Sequence, residues 1–266
     1  MSLARAIIEA PSPNFNERLH PLDMLVLHYT GMPDGPSALA RMQEDKEPRV
    51  SAHYMVEEDG RVFALVAEDK RAWQAGRSWW RGDEDLNSRS IGIEICNPGH
   101  DFSYPDFPAR QIAATIALCR GVLTRNIIRP ENVVAHSDVA PSRKQDPGEK
   151  FPWKLLAQSG VGFWVDVGTV FEQEPVKPDD DGVKVTELQK MLAEYGYGID
   201  VSGHYDIGTT EVVTAFQRHF RPTLVDGIAD AATLQTLRKL VIARDSKPQK
   251  PDPKPAAASK GIWPFS

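Results

Sequence analysis

The segment AHSDVAPSRKQDPG, residues 135–148, concentrates side chains that can bind a metal ion or stabilise charge. It contains His136 and Asp146, with Lys144 between them. The prolines and charges of this segment argue against a buried helix or a central strand, because proline lacks a backbone donor and a buried charge is costly. The composition therefore predicts a loop that presents polar side chains.

His28 offers a third ligand, because the apolar run MLVLHYTG, residues 24–31, predicts a buried strand that ends near it. His136 likewise follows the apolar residues of VVAHSD. Hydrolytic zinc takes three protein ligands and leaves one position for water, and two histidines with the carboxylate of Asp146 suit a metal that acidifies that water. A chain with 7 histidines offers many such triples, so these residue types alone fit structural histidines equally well.

Glu94 adds a candidate general base to these ligands. It lies in SIGIEIC, residues 90–96, whose alternation places Ile91, Ile93 and Ile95 on one face and the glutamate on the other. An exposed glutamate is the alternative, but the surrounding run is too apolar for a freely exposed edge. Beside a metal-activated water, this carboxylate would accept a proton.

Lys144 is the candidate for stabilising negative charge, because it lies two positions before the predicted ligand Asp146. An ammonium at this place would face the same site and stabilise an oxyanion. A solvated loop lysine is the alternative. Together these residues predict a hydrolytic metal site.

The composition limits where the protein acts and what it binds. A net charge of −6 argues against a nucleic-acid partner, and no apolar run reaches the roughly 18 residues of a membrane span. Cys96 and Cys119 are too few for a disulfide framework and indicate reduced thiols. The first residues lack the features of a secretory signal, so the expected location is cytoplasmic.

The pattern of elements predicts an α/β fold with a mixed central sheet flanked by helices. The run SAHYMVEEDGRVFALV is typical of a hairpin that turns at Asp59 and Gly60, and ARQIAATIALCRGVLTR has the apolar spacing of a helix over one sheet face.

The composition also predicts the boundaries of the units. Residues 1–171 form the large domain, and the acidic, proline-containing segment 172–182 forms a linker. Residues 183–243 form a small domain of three amphipathic helices, and 244–266 form a disordered tail.

Five segments of the large domain resemble one enzyme family: LVLHYTG, VSAHYMVEEDGRV, AWQAG, NSRSIGIEICNPG and VVAHSDVAPSRKQDPG. They are similar to the zinc-dependent N-acetylmuramoyl-L-alanine amidases of the AmpD/AmiD type over about residues 20–156. The resemblance implies a zinc ion held by His28, His136 and Asp146, with catalysis by Glu94 and Lys144. Residues 183–243 resemble the three-helix peptidoglycan-binding domain.

Several residues near the predicted site are assigned through this resemblance. Relatives often have histidine where this chain has Gln74, which would line the cleft and bear on substrate preference. The resemblance makes His53 structural. Trp73, Trp79 and Trp80 are candidates to line the substrate groove, and core packing is the alternative for each of them. The residues predicted to contact substrate are Trp73, Trp79 and Asn97.

The implied reaction is hydrolysis of the amide between N-acetylmuramic acid, or its 1,6-anhydro form, and L-alanine of the stem peptide. The expected cofactor is Zn²⁺ and the expected partners are peptidoglycan fragments (muropeptides). We expect the enzyme to act in peptidoglycan recycling. A muropeptide-binding protein without catalysis, or an amidase that acts on the polymeric cell wall, is the alternative.

Overall fold

A six-stranded mixed sheet forms the centre of the larger part of the protein in the computed structural model, which describes residues 7–246. Its strands, in spatial order, are β1 (Ile8–Glu9), β5 (Val62–Ala64), β4 (Tyr54–Val56), β7 (Ser90–Ile95), β3 (Met24–Tyr29) and β8 (Val133–Ala135). Neighbouring strands are parallel except for the hairpin of β4 and β5. A separate antiparallel ribbon joins β2 (Phe15–Glu17) to β6 (Lys70–Ala72). The predicted mixed sheet and its hairpin are therefore confirmed.

Helices cover both faces of this sheet. They are α1 (Gly35–Gln43), α2 (Leu86–Arg89), α3 (Ala109–Arg125), α4 (His136–Val139), α5 (Trp153–Gln158), α6 (Val183–Tyr195), α7 (Ile207–Phe220) and α8 (Ala231–Asp245), with a 3₁₀ turn at Pro130–Asn132. Helix α3 packs Ile112 and Cys119 against Leu27, Ile91 and Ile93. This arrangement leaves the opposite face of β3 and β7, which carries His28 and Glu94, for other contacts.

The three C-terminal helices share a hydrophobic core with that opposite face. Met24 and Val26 of β3 belong to the same buried cluster as Trp80, Leu192 and Phe216. The Trp80 ring lies 5.1 Å from that of Tyr197, measured between centroids. Since apolar burial is the main favourable term in folding, the helical part and the sheet are stabilised together.

The second half of the predicted linker is bound to the helical part. Val176 is 2% exposed and exchanges two backbone hydrogen bonds with Ala229, at 3.0 and 2.9 Å. Gly182 donates to the carbonyl of Gly203 at 2.8 Å. Residues 176–182 are therefore part of the helical unit, although their composition predicts a linker.

The ends of the chain lie partly outside the described residues. Helix α8 continues to Asp245, so the start of the predicted tail 244–266 is helical, and Arg244 donates to the backbone carbonyl of Glu194. The rest of that prediction, from residue 247 onwards, falls outside the described part of the chain. Among residues 7–246, no helix has an apolar stretch of the length needed to cross a bilayer.

Candidate metal centre

Three predicted metal ligands converge at the carboxyl ends of the parallel strands. His28 is in β3, His136 directly follows β8, and Asp146 ends the loop after α4. The Nδ1 atoms of the two histidines lie 2.9 Å apart, and each lies 3.0 Å from Oδ2 of Asp146. All three residues are buried. Crevices at the carboxyl ends of parallel strands are the usual ligand sites of such sheets.

The hydrogen bonds around the histidines indicate that a cation fits among these atoms. Nε2 of His28 faces Oε1 of Gln74 at 2.5 Å, and Nε2 of His136 faces the carbonyl oxygen of Ala75 at 3.1 Å. Both partners are acceptors, so each neutral ring carries its proton on Nε2. Two unprotonated Nδ1 atoms and one carboxylate oxygen of Asp146 then meet without a donor between them. This donor set suits Zn²⁺.

The charge states of His136 and Asp146 agree with this assignment, whereas the carboxylates of Glu94 and Asp146 raise the pKa of His28 against the effect of its burial. Burial lowers the pKa of His136 to about 4, which keeps the ring neutral. Burial alone would raise the pKa of Asp146, but the two histidines outweigh it and hold that pKa below its usual range. Neutral imidazole and ionised carboxylate are the forms that bind metals.

Gln74 orients His28 in addition to lying at the cleft. Its Nε2 donates to Oγ of Ser90 at 2.6 Å, and that hydroxyl donates to the carbonyl of Leu86 at 2.6 Å. This chain fixes Oε1 as the atom that faces His28. A Cβ on Gly92 would lie 2.6 Å from Cγ of Gln74, so the glycine provides the space for it. The sequence suggested only a role in substrate preference, whereas the structure places Gln74 behind the predicted ligand His28.

We expect Gln74→Leu to weaken zinc binding by about 10–100-fold, because partners that hold ligating histidines have effects of this size. Gln74→Glu keeps an acceptor for Nε2 of His28 and should retain the affinity of the unchanged protein. Competition with a chelating dye measures both variants. Equal affinities for the leucine and glutamate variants would contradict the orienting role.

Glu94 faces the same site from the neighbouring strand. His28 and Glu94 are register partners across β3 and β7, so their side chains lie on one face. Oε2 of Glu94 is buried and has no hydrogen-bond partner within the described residues. Burial raises the pKa of Glu94 to about 7.

Lys144 lies close enough for its charge to act on this carboxyl. The positive charge of Lys144 favours the ionised form of Glu94 and the neutral form of His136. The side chain is half-buried, and its ammonium makes no hydrogen bond or ion pair with any residue between 7 and 246. The structure therefore brings together all five residues of the predicted centre.

The predicted substrate residues differ in their surroundings. Trp79 is 38% exposed beside a cavity of about 860 Å³ that lies between the loop 77–84 and the C-terminal helices. Trp73 is half-buried and donates to Oδ1 of Asn16. Substrate contact stays a prediction for these two. Asn97 is 3% exposed and uses both ends of its amide within its loop, which indicates a structural role.

Two further candidates are structural. Trp80 is fully buried in the shared core. His53 is also fully buried, accepts from the backbone N–H of Gly92 at 3.0 Å and donates to the carbonyl of Lys70 at 3.0 Å. His53 lies outside the metal-binding group, as the resemblance implied.

We call residues 136–146 the metal loop. The sequence did not reveal which residues of the C-terminal part of the chain contact this loop. Asp138 within it is buried, and Tyr197 and His219 donate to its carboxylate. The sequence favours a surface or packing role for His219, and the structure shows the ring packed against Trp153 and Phe220 as well as hydrogen-bonded to Asp138. Asp138 lies two positions after the predicted ligand His136, which was a usable signal, but nothing local in the sequence points to its distant partners.

Comparison with known proteins places this site in a family. Residues 18–149 match the family Amidase_2, described as N-acetylmuramoyl-L-alanine amidase, and residues 181–237 match PG_binding_1, described as a peptidoglycan binding domain. The chain is 42% identical to N-acetylmuramoyl-L-alanine amidase AmiD of Escherichia coli K12 over 80% of this chain and 79% of that protein. It is 35% identical to 1,6-anhydro-N-acetylmuramyl-L-alanine amidase AmpD of the same organism, over 54% of this chain and 86% of that protein.

A solved structure is similar over both parts of the chain. It is the complex of AmiD from E. coli with the substrate anhydro-N-acetylmuramic acid-L-Ala-D-γ-Glu-L-Lys. The match has a TM-score of 0.74 and 39% identity, and it covers 85% of this chain and 91% of that one. With the three-ligand site at its strand ends and this extent of similarity, the chain belongs to the N-acetylmuramoyl-L-alanine amidases of the Amidase_2 family.

Proposed function

We propose that this enzyme hydrolyses the bond between the lactyl group of 1,6-anhydro-N-acetylmuramic acid and L-alanine in soluble muropeptides, as a step of peptidoglycan recycling. The convergence of two unprotonated Nδ1 atoms and one carboxylate oxygen beside Glu94 carries the assignment of the reacting centre. The anhydro-sugar is proposed because the similar AmiD structure contains such a substrate.

His28, His136 and Asp146 would hold the metal. A zinc ion there would supply a Lewis acid that lowers the pKa of a water molecule and polarises the amide carbonyl. The chemistry of the ligands suits hydrolysis, because three protein donors leave room for one further oxygen ligand. A binding protein without catalysis would not need the base and the cation that accompany the ligands here.

Glu94 moves the proton in this proposal. Its Oε2 has no partner in residues 7–246, and its pKa near 7 suits both acceptance and release of a proton at neutral pH. The carboxylate accepts a proton from the attacking water and returns it to the nitrogen of L-alanine as the amide breaks. Its register position opposite His28, on the same face of the sheet, supports this role.

Lys144 would stabilise the negative charge that develops on the carbonyl oxygen. Its ammonium is close enough to affect Glu94 and His136 electrostatically, yet it is not engaged by another described side chain. A cation held ready in a partly buried site lowers the barrier because it needs little reorganisation during the reaction.

The cellular compartment of the enzyme determines which substrate it meets. A cytoplasmic enzyme would meet soluble fragments, whereas an enzyme outside the cytoplasm would meet the polymer. Cys96 and Cys119 are both buried, in different clusters of the core, so their reduced state is compatible with either compartment. Fractionation of the native protein tests the location.

The experiment compares two substrates and removes the metal. We expect the purified protein to hold about one zinc and to release peptide from anhydro-N-acetylmuramic acid-L-Ala-D-γ-Glu-L-Lys. A chelator should abolish hydrolysis and added zinc should restore it, because three protein donors bind the ion. We expect kcat/KM on this fragment to exceed that on sacculi. Full activity without metal would overturn the mechanism, and a preference for sacculi would overturn the recycling role.

A further inference from the structure

A buried carboxylate joins the metal loop to the C-terminal helices. Asp138 is 1% exposed, and its Oδ2 accepts hydrogen bonds from the backbone N–H of Ala135 at 2.8 Å and from Nδ1 of His219 at 2.6 Å. Its Oδ1 accepts from the hydroxyl of Tyr197 at 2.7 Å. Two of these three donors therefore come from the C-terminal part of the chain.

The turn that carries Asp138 begins at one predicted metal ligand and is hydrogen-bonded to the other. Asp138 lies in α4, whose first residue is the ligand His136. The backbone N–H of Ser137 donates to the carbonyl oxygen of the ligand Asp146 at 2.9 Å, and that of Ala140 donates to the carbonyl of His136 at 3.0 Å. A shift of this turn would therefore move two ligands relative to His28.

The two donors are themselves held in place by packing. The ring of His219 is stacked between those of Trp153 and Phe220, with both centroid distances 3.8 Å and interplanar angles of 24° and 4°. Tyr197 is 2% exposed and packs edge-on against Trp80. Since the rings cannot turn freely, Asp138 meets donors that are already oriented.

We infer that the C-terminal helices support the geometry of the metal centre. Tyr197 and His219 hold Asp138 in place, and Asp138 in turn fixes the positions of His136 and Asp146. This inference rests on the proposed zinc site. Tyr197, His219 and Asp138 are positioning residues, since they act through the ligands and do not touch the metal position. Outer partners of this kind change metal affinity by about 10–100-fold when removed.

The test uses two tyrosines with matched surroundings. Tyr197→Phe removes the hydroxyl that donates to Asp138 at 2.7 Å. Tyr205→Phe removes a hydroxyl that donates to the carbonyl of Gly227, also at 2.7 Å, and Tyr205 is 1% exposed. Both variants lose one buried hydrogen bond in the full chain. Only Tyr197→Phe should weaken zinc binding, by about tenfold or more in competition with a chelating dye.

A second pair separates hydrogen bonding from ring packing at His219. His219→Phe keeps an aromatic ring between Trp153 and Phe220 but cannot donate to Asp138. His219→Asn loses the ring, and its amide nitrogen can replace Nδ1 as the donor. The inference expects weaker zinc binding for phenylalanine than for asparagine. If the ring acted by packing alone, His219→Phe would be more thermally stable than His219→Asn, and the two variants would bind zinc equally well.

Amide hydrogen exchange gives a readout that does not depend on zinc. In the protein without added metal, Tyr197→Phe should speed exchange in the metal loop, whereas Tyr205→Phe should not. Equal zinc affinities and equal loop exchange in the two tyrosine variants would overturn the inference while leaving the proposed function intact. If the unchanged protein binds no zinc, the proposed function fails, and loop exchange alone decides whether the helices hold the loop.

Discussion

Replacement of Glu94 by glutamine should lower kcat by roughly 10²–10⁴-fold, the usual contribution of a general base. The amide has nearly the shape of the carboxyl group, but it carries a nitrogen in place of one oxygen and is too weak a base to accept the proton. Zinc content should stay at about one per chain, because Glu94 is not among the three converging ligands. Steady-state hydrolysis of the anhydro-muropeptide, with metal analysis of the same sample, measures both effects.

Two control variants define what this result means. Glu68 is also half-buried, but its carboxylate accepts from Tyr54 and Asn126 away from the metal centre, so Glu68→Gln should keep kcat. Asp146→Ala should instead lose zinc, since it removes one of three ligands. Retention of kcat in Glu94→Gln, with zinc bound, would remove Glu94 from the chemistry.

The sheet and the convergence of the three predicted ligands on it could be predicted because their signals are local. His28 and His136 each follow an apolar run, and the alternation around Glu94 indicates which face its carboxylate occupies. These patterns follow from strand geometry, so they do not depend on how the distant parts of the chain pack. The family resemblance then selected the ligand set from several possible histidines, including His53.

The contacts between the two parts could not be predicted, because they depend on residues that are remote in the sequence. Asp138 and His219 are 81 positions apart, and nothing around either residue indicates the other. Gly196 and Gly198 resemble ordinary turn glycines in the sequence. In the structure, a Cβ on Gly198 would lie 2.7 Å from the Trp79 ring, so this glycine permits close packing between the parts. Composition also misrepresented 176–182, since backbone hydrogen bonds hold this acidic segment.

Deletion of residues 183–266 should destabilise the amidase part rather than release it as an active unit. The deletion exposes the side chains that surround Trp80, which is fully buried in the intact protein, and removes the donors to Asp138. Losing the packing of one large buried aromatic residue costs about 3–5 kcal/mol. For a chain of this size, that loss lowers the melting temperature by roughly 6–20 °C. Thermal unfolding of the truncated and intact proteins measures the difference.

The kinetics of the truncated protein distinguish the buttressing role from a role in glycan binding. A buttress that holds the metal loop predicts an equal loss of kcat/KM on the small anhydro-muropeptide and on sacculi, because both substrates need the same metal centre. Deletion of residues 247–266 alone is the control, because it shortens the chain but leaves α6, α7 and α8 in place. A truncated enzyme with normal stability, unchanged kcat and a raised KM on sacculi alone would contradict the buttressing role. That result would mean that the helices contribute uniform binding to the polymer, since such a loss raises KM without changing kcat.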